Sequence, residues 1–280
     1  MYPQIFSFKT PEFLTGFLPD HITIHSYGFM IALGIMLSFW FMLKRVKKFG
    51  IDKDQLSSFF MWAILAGFVG GKLFFFLEDI DKYMAEPGKL LRLAGGGFVF
   101  YGSVIFVIPT LIIWLRKHHI PVRPFLDIVA FVGPIAQGFG RVGCFLAGCC
   151  HGKVCNNWMG VTFSNPKSLA NPLNVPLYPT QLMDIGVNLI IFITLFWLEK
   201  RKKFAGQLML VYMIMYAIGR SINELYRGDE ERGFLFNGSL SHSQFIAIVI
   251  FVLCSIVWFR WKNLNENQLW FPTKSTTNQV

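Results

Sequence analysis

FLDIVAFVGPIAQGFGRVGCFLAG, residues 125–148, is the stretch on which the reading of this chain turns. As a helix it is long enough to cross the roughly 30 Å hydrocarbon core of a bilayer. It nevertheless carries Arg141 well inside its apolar run. A cation within a membrane is costly unless it faces a cavity or a partner, so this span announces both a membrane and a site.

Six further apolar runs of similar length lie at 23–43, 56–77, 97–115, 180–198, 206–226 and 242–260. Turn residues punctuate them: Gly95, Gly96 and Gly97 before the third span, Pro121 and Pro124 before the fourth, and Pro172, Pro176 and Pro179 before the fifth. Composition agrees, since 54% of the residues are hydrophobic and 15% charged. Soluble domains carry about 25% charged residues. Thirty-one phenylalanines exceed what one soluble core of 280 residues needs. The expected fold is an all-α membrane protein with about seven transmembrane helices, residues 1–280 forming a single polytopic domain.

The net charge of +10 would suggest nucleic acid in a soluble protein. Here the cations cluster between apolar runs, which is a topology signal, and no nucleic-acid partner is expected. Fifteen Lys and Arg fall on one side of the alternating connections, among them Lys44, Arg45, Arg116, Lys200, Arg201 and Arg260. Eight fall on the other, together with acidic Glu78, Asp79, Glu230 and Glu231. The basic side is cytoplasmic, which places the N-terminus outside and residues 262–280 as a cytoplasmic tail. The first 20 residues do not read as a cleaved signal peptide. Phe6, Phe8, Phe13 and Phe17 suggest that residues 1–22 lie along the interface.

Three cations remain within spans: Lys72, Arg141 and Arg220. At a helical rise of 1.5 Å per residue, each lies roughly 20–25 Å from the inner end of its span, in the outer half. Tyr212, Tyr216, Arg220 and Glu224 recur every four residues and share one helical face. Gln137, Arg141, Phe145 and Cys149 form a second ridge, beside the small residues Ala136, Gly140, Cys144, Gly148 and Gly152. Small residues at that spacing allow close helix approach. The structural alternative for Arg220 is an ion pair with Glu224, and for Lys72 a side chain snorkelling to the interface. Arg141 has no acid within one turn. Cations aimed at one outer-leaflet cavity suit an anionic head group, above all a phosphate that Arg grips with two amines.

The segment Gly140-Arg141-Val142-Gly143-Cys144-Phe145-Leu146-Ala147-Gly148-Cys149-Cys150-His151-Gly152 resembles the signature of the bacterial prolipoprotein diacylglyceryl transferases. His25-Ser26-Tyr27-Gly28, Gly96 to Gly102 with Tyr101, and Tyr178-Pro179-Thr180-Gln181-Leu182 resemble further motifs of that family in order. So do Tyr216 to Arg220 with Glu224 and Arg227, and Leu240-Ser241 with Gln244. The resemblance covers roughly residues 20–260. It implies transfer of the diacylglyceryl group of phosphatidylglycerol to the lipobox cysteine of a prolipoprotein signal peptide, with glycerol phosphate as the leaving group. Localisation would be the bacterial inner membrane, with the site toward the outer leaflet and no cofactor. Together with the charge pattern, it assigns catalytic roles to Arg141, Arg220, Tyr101 and Tyr27. Substrate binding falls to Arg141, Gln181, Tyr216, Glu224, Lys72 and Arg227. The chemistry needs a thiolate nucleophile and cations on the departing phosphate.

Three departures from the family pattern stand out. Tyr101 occupies a position where well-known members carry a histidine, Cys144 one that is usually asparagine, and Cys149 one that is usually glutamate. His25 and His151 are the two histidines placed to supply the missing base. The cysteines have three readings: Cys144 and Cys149 as packing residues, a disulfide among Cys149, Cys150 and Cys155, or a metal site built from Cys149, Cys150, His151 and Cys155. The spacing matches no standard zinc pattern, so no metal is expected. A membrane thiol oxidoreductase using the 144–155 cluster, and a non-catalytic lipid-binding or transport homologue, are the competing functions.

Overall fold

In this computed structural model the described residues are 2–9, 21–78, 80, 98–228, 234–235 and 240–263. Seven long helices dominate them: α1 (Ser26–Val46), α2 (Lys53–Glu78), α3 (Phe100–Lys117), α4 (Val122–Ala147), α5 (Thr180–Glu199), α6 (Gln207–Glu224) and α7 (His242–Lys262). They coincide with the seven apolar runs to within a few residues. Five segments have the length and composition of a membrane crossing: Ser26–Phe49, Lys53–Glu78, Val122–Ala147, Thr180–Glu199 and Ser243–Lys262. Of the other two helices, α3 ends in Arg116 and Lys117, and α6 carries Gln207, Arg220, Asn223 and Glu224. Large apolar side chains stay exposed along the helices, including Trp62 on α2, Trp197 on α5 and Phe251 on α7. Lipid, rather than further protein, is the solvent that such surfaces require.

Three two-stranded pairs accompany the helices: β1 (Gln4–Lys9) with β2 (His21–His25), β3 (Val161–Thr162) with β4 (Pro176–Leu177), and β5 (Phe234–Leu235) with β6 (Leu240–Ser241). The N-terminal segment expected along an interface is thus, over its described residues, a β-strand. Backbone pairing with residues 21–25 is what the alternation of Phe6 and Phe8 serves. Phe13, Phe17 and the glycines at 95–97 lie outside the described residues, as do 264–280 of the expected tail.

Where the sequence reads as one domain, the chain gathers into two compact units, residues 1–42 with 126–266 and residues 43–125 with 267–280. The second unit owes its separate packing to local contacts between α2 and α3. A Cβ on Gly70 would collide with the Gly102 carbonyl oxygen, and one on Gly102 with that of Gly70. With both side chains absent the backbones meet, and Ser103 Oγ donates to the Gly67 carbonyl at 2.8 Å. Phe59, Trp114 and Phe125 close the far end of this unit in an aromatic cluster.

In the first unit, Ala130 and Phe131 of α4, Ile191 and Leu195 of α5, and Leu208 and Tyr212 of α6 make the buried core. Asp127 fastens one end of it. Its carboxylate accepts from Lys202 Nζ at 2.7 Å and from the backbone N–H groups of Gly206 and Leu208 at 3.0 and 2.8 Å, fixing the start of α6. At the other end, Ser241 and Gln244 form a reciprocal capping box that starts α7.

Candidate active site

Arg141 lies in the last two turns of α4, and its partner comes from α5. Arg141 Nε sits 2.8 Å from Asp184 Oδ2. The second oxygen, Asp184 Oδ1, accepts from Asn223 Nδ2 of α6 at 2.6 Å, and the same amide donates to the Thr180 carbonyl at 3.0 Å. Three helices are thus joined through one carboxylate. The pairing corrects the expectation that Arg141 lacks a nearby acid, since the acid arrives from another helix. Among the described residues the two Nη amines of Arg141 form no hydrogen bond, so the guanidinium is tethered through Nε with its fork unspent.

Arg220 does form the ion pair that its i,i+4 spacing offers. Nη2 lies 2.6 Å from Glu224 Oε2 and donates to Ser243 Oγ of α7 at 3.3 Å. Nη1 is buried and has no hydrogen-bond partner among the described residues. A buried, unpaired guanidinium donor is costly, and an anionic ligand is the chemistry that would satisfy it. Tyr216, one turn before Arg220, stacks on Tyr212 with ring centroids 6.1 Å apart.

Tyr27 opens α1 against α4. A Cβ on Gly143 would stand 3.0 Å from Tyr27 Cα, so glycine there lets the tyrosine backbone seat directly between Arg141 and Cys144 in sequence. Tyr27 lines a cavity of about 400 Å³ together with His25, Cys144, Cys149, Cys150 and Lys167. Lys167 is a cation of this cavity that the span-by-span reading passed over, because it lies in the connection between α4 and α5.

Gln181, expected to bind substrate, is 1% exposed and donates from Nε2 to the Cys149 carbonyl at 2.7 Å. Thr180 Oγ1 donates to the Cys150 carbonyl at 2.6 Å. These two side chains hold the turn that follows α4. Arg227 is buried, and its backbone bridges to Gly152. Lys72 and Tyr101 belong to the second unit: Lys72 is buried on α2 with Nζ 5.7 Å from the Phe75 ring centre, and Tyr101 is exposed on α3.

Of the two candidate bases, His151 is engaged on both nitrogens. Nδ1 faces the Gly152 carbonyl at 2.9 Å, and Nε2 accepts from the Asn171 N–H at 3.2 Å. His25 lines the cavity and His151 does not. The five cysteines are free thiols, so the expected disulfide is absent. Cys155 is held apart by Asn157, whose Oδ1 accepts from its thiol at 2.9 Å. The grouping is instead Cys144, Cys149 and Cys150. Hydrogen bonds with the Cys144 and Cys149 side chains, then the fields of Arg227 and Arg141, draw the Cys150 thiol far below its ordinary range. Hydrogen bonding to Cys144 and Cys150, with burial, pushes the Cys149 thiol up.

The comparisons with known proteins bear on this arrangement directly. The family model described as prolipoprotein diacylglyceryl transferase matches residues 17–260. The chain belongs to the prolipoprotein diacylglyceryl transferase family. It is 37% identical over 232 residues to a phosphatidylglycerol–prolipoprotein diacylglyceryl transferase of Clostridium tetani, covering 83% of this chain and 91% of the relative. It is also 37% identical over 231 residues to phosphatidylglycerol–prolipoprotein diacylglyceryl transferase 2 of Clostridium perfringens, covering 82% and 88%. A third relative, the transferase of Finegoldia magna, is 28% identical over 242 residues, covering 86% and 92%. Nothing in the geometry or among these transferases favours a thiol oxidoreductase or a transport protein.

The diacylglyceryl transferase signature pointed to Arg141, yet Asp184, Asn223 and Ser243, which orient the two arginines, escaped the reading. A signal was present in α5. Thr180, Asp184 and Asn188 recur every four residues in an otherwise apolar span, and all three are buried.

Proposed function

We propose that this chain transfers the diacylglyceryl group of phosphatidylglycerol to the lipobox cysteine of prolipoproteins, at the outer leaflet of the bacterial inner membrane. The observation that carries the reading is the state of the two arginines. Arg141 is anchored by Nε with both Nη amines unspent, and Arg220 has a buried Nη1 without a partner among the described residues. Two such forks suit the phosphate of phosphatidylglycerol, where negative charge develops as the glycerol carbon–oxygen bond breaks. Asp184 and Glu224 orient the guanidiniums, with Asn223 and Ser243 behind them.

The acceptor thiol attacks the glycerol carbon as a thiolate. A carbon–sulfur bond forms, the carbon–oxygen bond to phosphate breaks, and its electron pair leaves on glycerol phosphate. His25, on the wall of the same cavity as Tyr27, is the proton acceptor we assign in place of Tyr101. The seven long helices, read with the excess of cations on one set of connections, support seven crossings with the N-terminus outside and the C-terminus in the cytoplasm.

The test is incubation of purified protein with phosphatidylglycerol and a lipobox peptide, read by peptide mass. A gain of one diacylglyceryl group, lost in Arg141→Ala, is expected. Lipid binding without any modified peptide would sink the reading.

A further inference from the structure

The three grouped thiols stand outside the phosphate clamp. Cys144 lies in the last turn of α4, and Cys149 and Cys150 lie in the turn after it. Gly148 and Cys150 adopt left-handed backbone, at φ of 82° and 60°, and the chain folds back there. The three sulfur atoms consequently lie within 4.8 Å of one another. All three residues line the 400 Å³ cavity. The turn is not loose, because Gln181 and Thr180 hold the carbonyls of Cys149 and Cys150 from α5.

A zinc–thiolate bond of about 2.3 Å sets tetrahedral sulfurs roughly 3.8 Å apart, within the limit this cluster meets. Three thiolates carry more negative charge than one divalent cation cancels. Arg141 and Arg227 both act electrostatically on Cys150 and offset that excess. Thiolate ligands select soft cations over calcium or magnesium. Three protein ligands with a vacant fourth position is also the pattern of zinc sites that act on a substrate rather than staple a fold.

We propose that Cys144, Cys149 and Cys150 bind one zinc-class thiophilic cation whose fourth coordination position opens on the cavity. Three thiol protons pass to water as the metal enters. The fourth ligand is the acceptor cysteine, which binds as a thiolate after losing its proton to His25 or to water. This last role rests on the transferase reading, whereas the metal site does not.

The test uses the full chain, reduced and purified in detergent, titrated with cobalt(II) as a spectroscopic probe for zinc. One equivalent should bind with a thiolate-to-cobalt charge-transfer band that zinc abolishes. Cys144→Ser, Cys149→Ser and Cys150→Ser, each checked for unchanged melting, should weaken binding by at least about tenfold. Cys155→Ser should bind as the parent does. A lipobox peptide should strengthen the band, and the same peptide with serine for cysteine should not. Absence of a saturable thiolate band, undiminished binding in the three variants, or a disulfide among the three in protein taken from membranes overturns the site. An unchanged band on adding the cysteine peptide overturns the fourth-ligand role. Transfer measured on the same preparations separates the readings: transfer without cobalt binding removes the metal and leaves the transferase.

Discussion

Asp127 and Asp184 are both buried carboxylates of the first unit, and each lies within 2.8 Å of a cation. Their remaining partners differ in kind. Asp127 takes Lys202 and two backbone N–H groups at the start of α6, so its charge is spent on holding chain to chain. Asp184 takes only side chains, Arg141 and Asn223, and the arginine it holds keeps two amines in hand. A buried ion pair is weak evidence of stability by itself. What separates a fastener from a catalytic clamp here is whether the cation has donors left over.

Substitutions at the two carboxylates should therefore separate folding from chemistry. Arg141→Ala should reduce transfer to a lipobox peptide by about 10²–10³, the scale of losing a group that meets developing charge. Arg141→Lys should recover little of it, because an ammonium cannot be tethered by one nitrogen and present two more. Asp127→Ala should act on stability instead, costing about 3–5 kcal/mol by stranding Lys202 and the α6 N-terminus. Its thermal midpoint in detergent should fall, while activity per folded molecule holds. A loss of specific activity equal to that of Arg141→Ala would erase the distinction. Asp184→Asn keeps the shape and the Asn223 contact but removes the charge, and should lower transfer by about tenfold with little change in melting. Ser243→Ala removes one 3.3 Å contact to Arg220 and should cost about 1 kcal/mol of transition-state stabilisation, a few-fold in rate.

The seven helices were legible because apolar length is a one-dimensional property. The run at 180–198 became Thr180–Glu199, and that at 206–226 became Gln207–Glu224. Arg220 with Glu224 was legible for a similar reason, since both sit on one helix one turn apart. Arg141 with Asp184 was not, because the two belong to helices whose contact no local spacing encodes. The N-terminal strand was also missed, since its partner residues 21–25 lie beyond a long connection.

The cysteines show the same boundary. Chain spacing grouped Cys149, Cys150, His151 and Cys155, whereas the fold groups Cys144, Cys149 and Cys150. His151 turns to Gly152 and Asn171, and Cys155 to Asn157. The sequence by itself determined that this chain belongs in a membrane, where its helices run, and that cations sit inside them, because hydrophobicity and charge act residue by residue. Only the tertiary structure decided which acid holds Arg141, which histidine faces the cavity and which thiols meet. Those choices depend on helices packing side by side and on two left-handed residues after α4, and direction in space is not written in linear spacing.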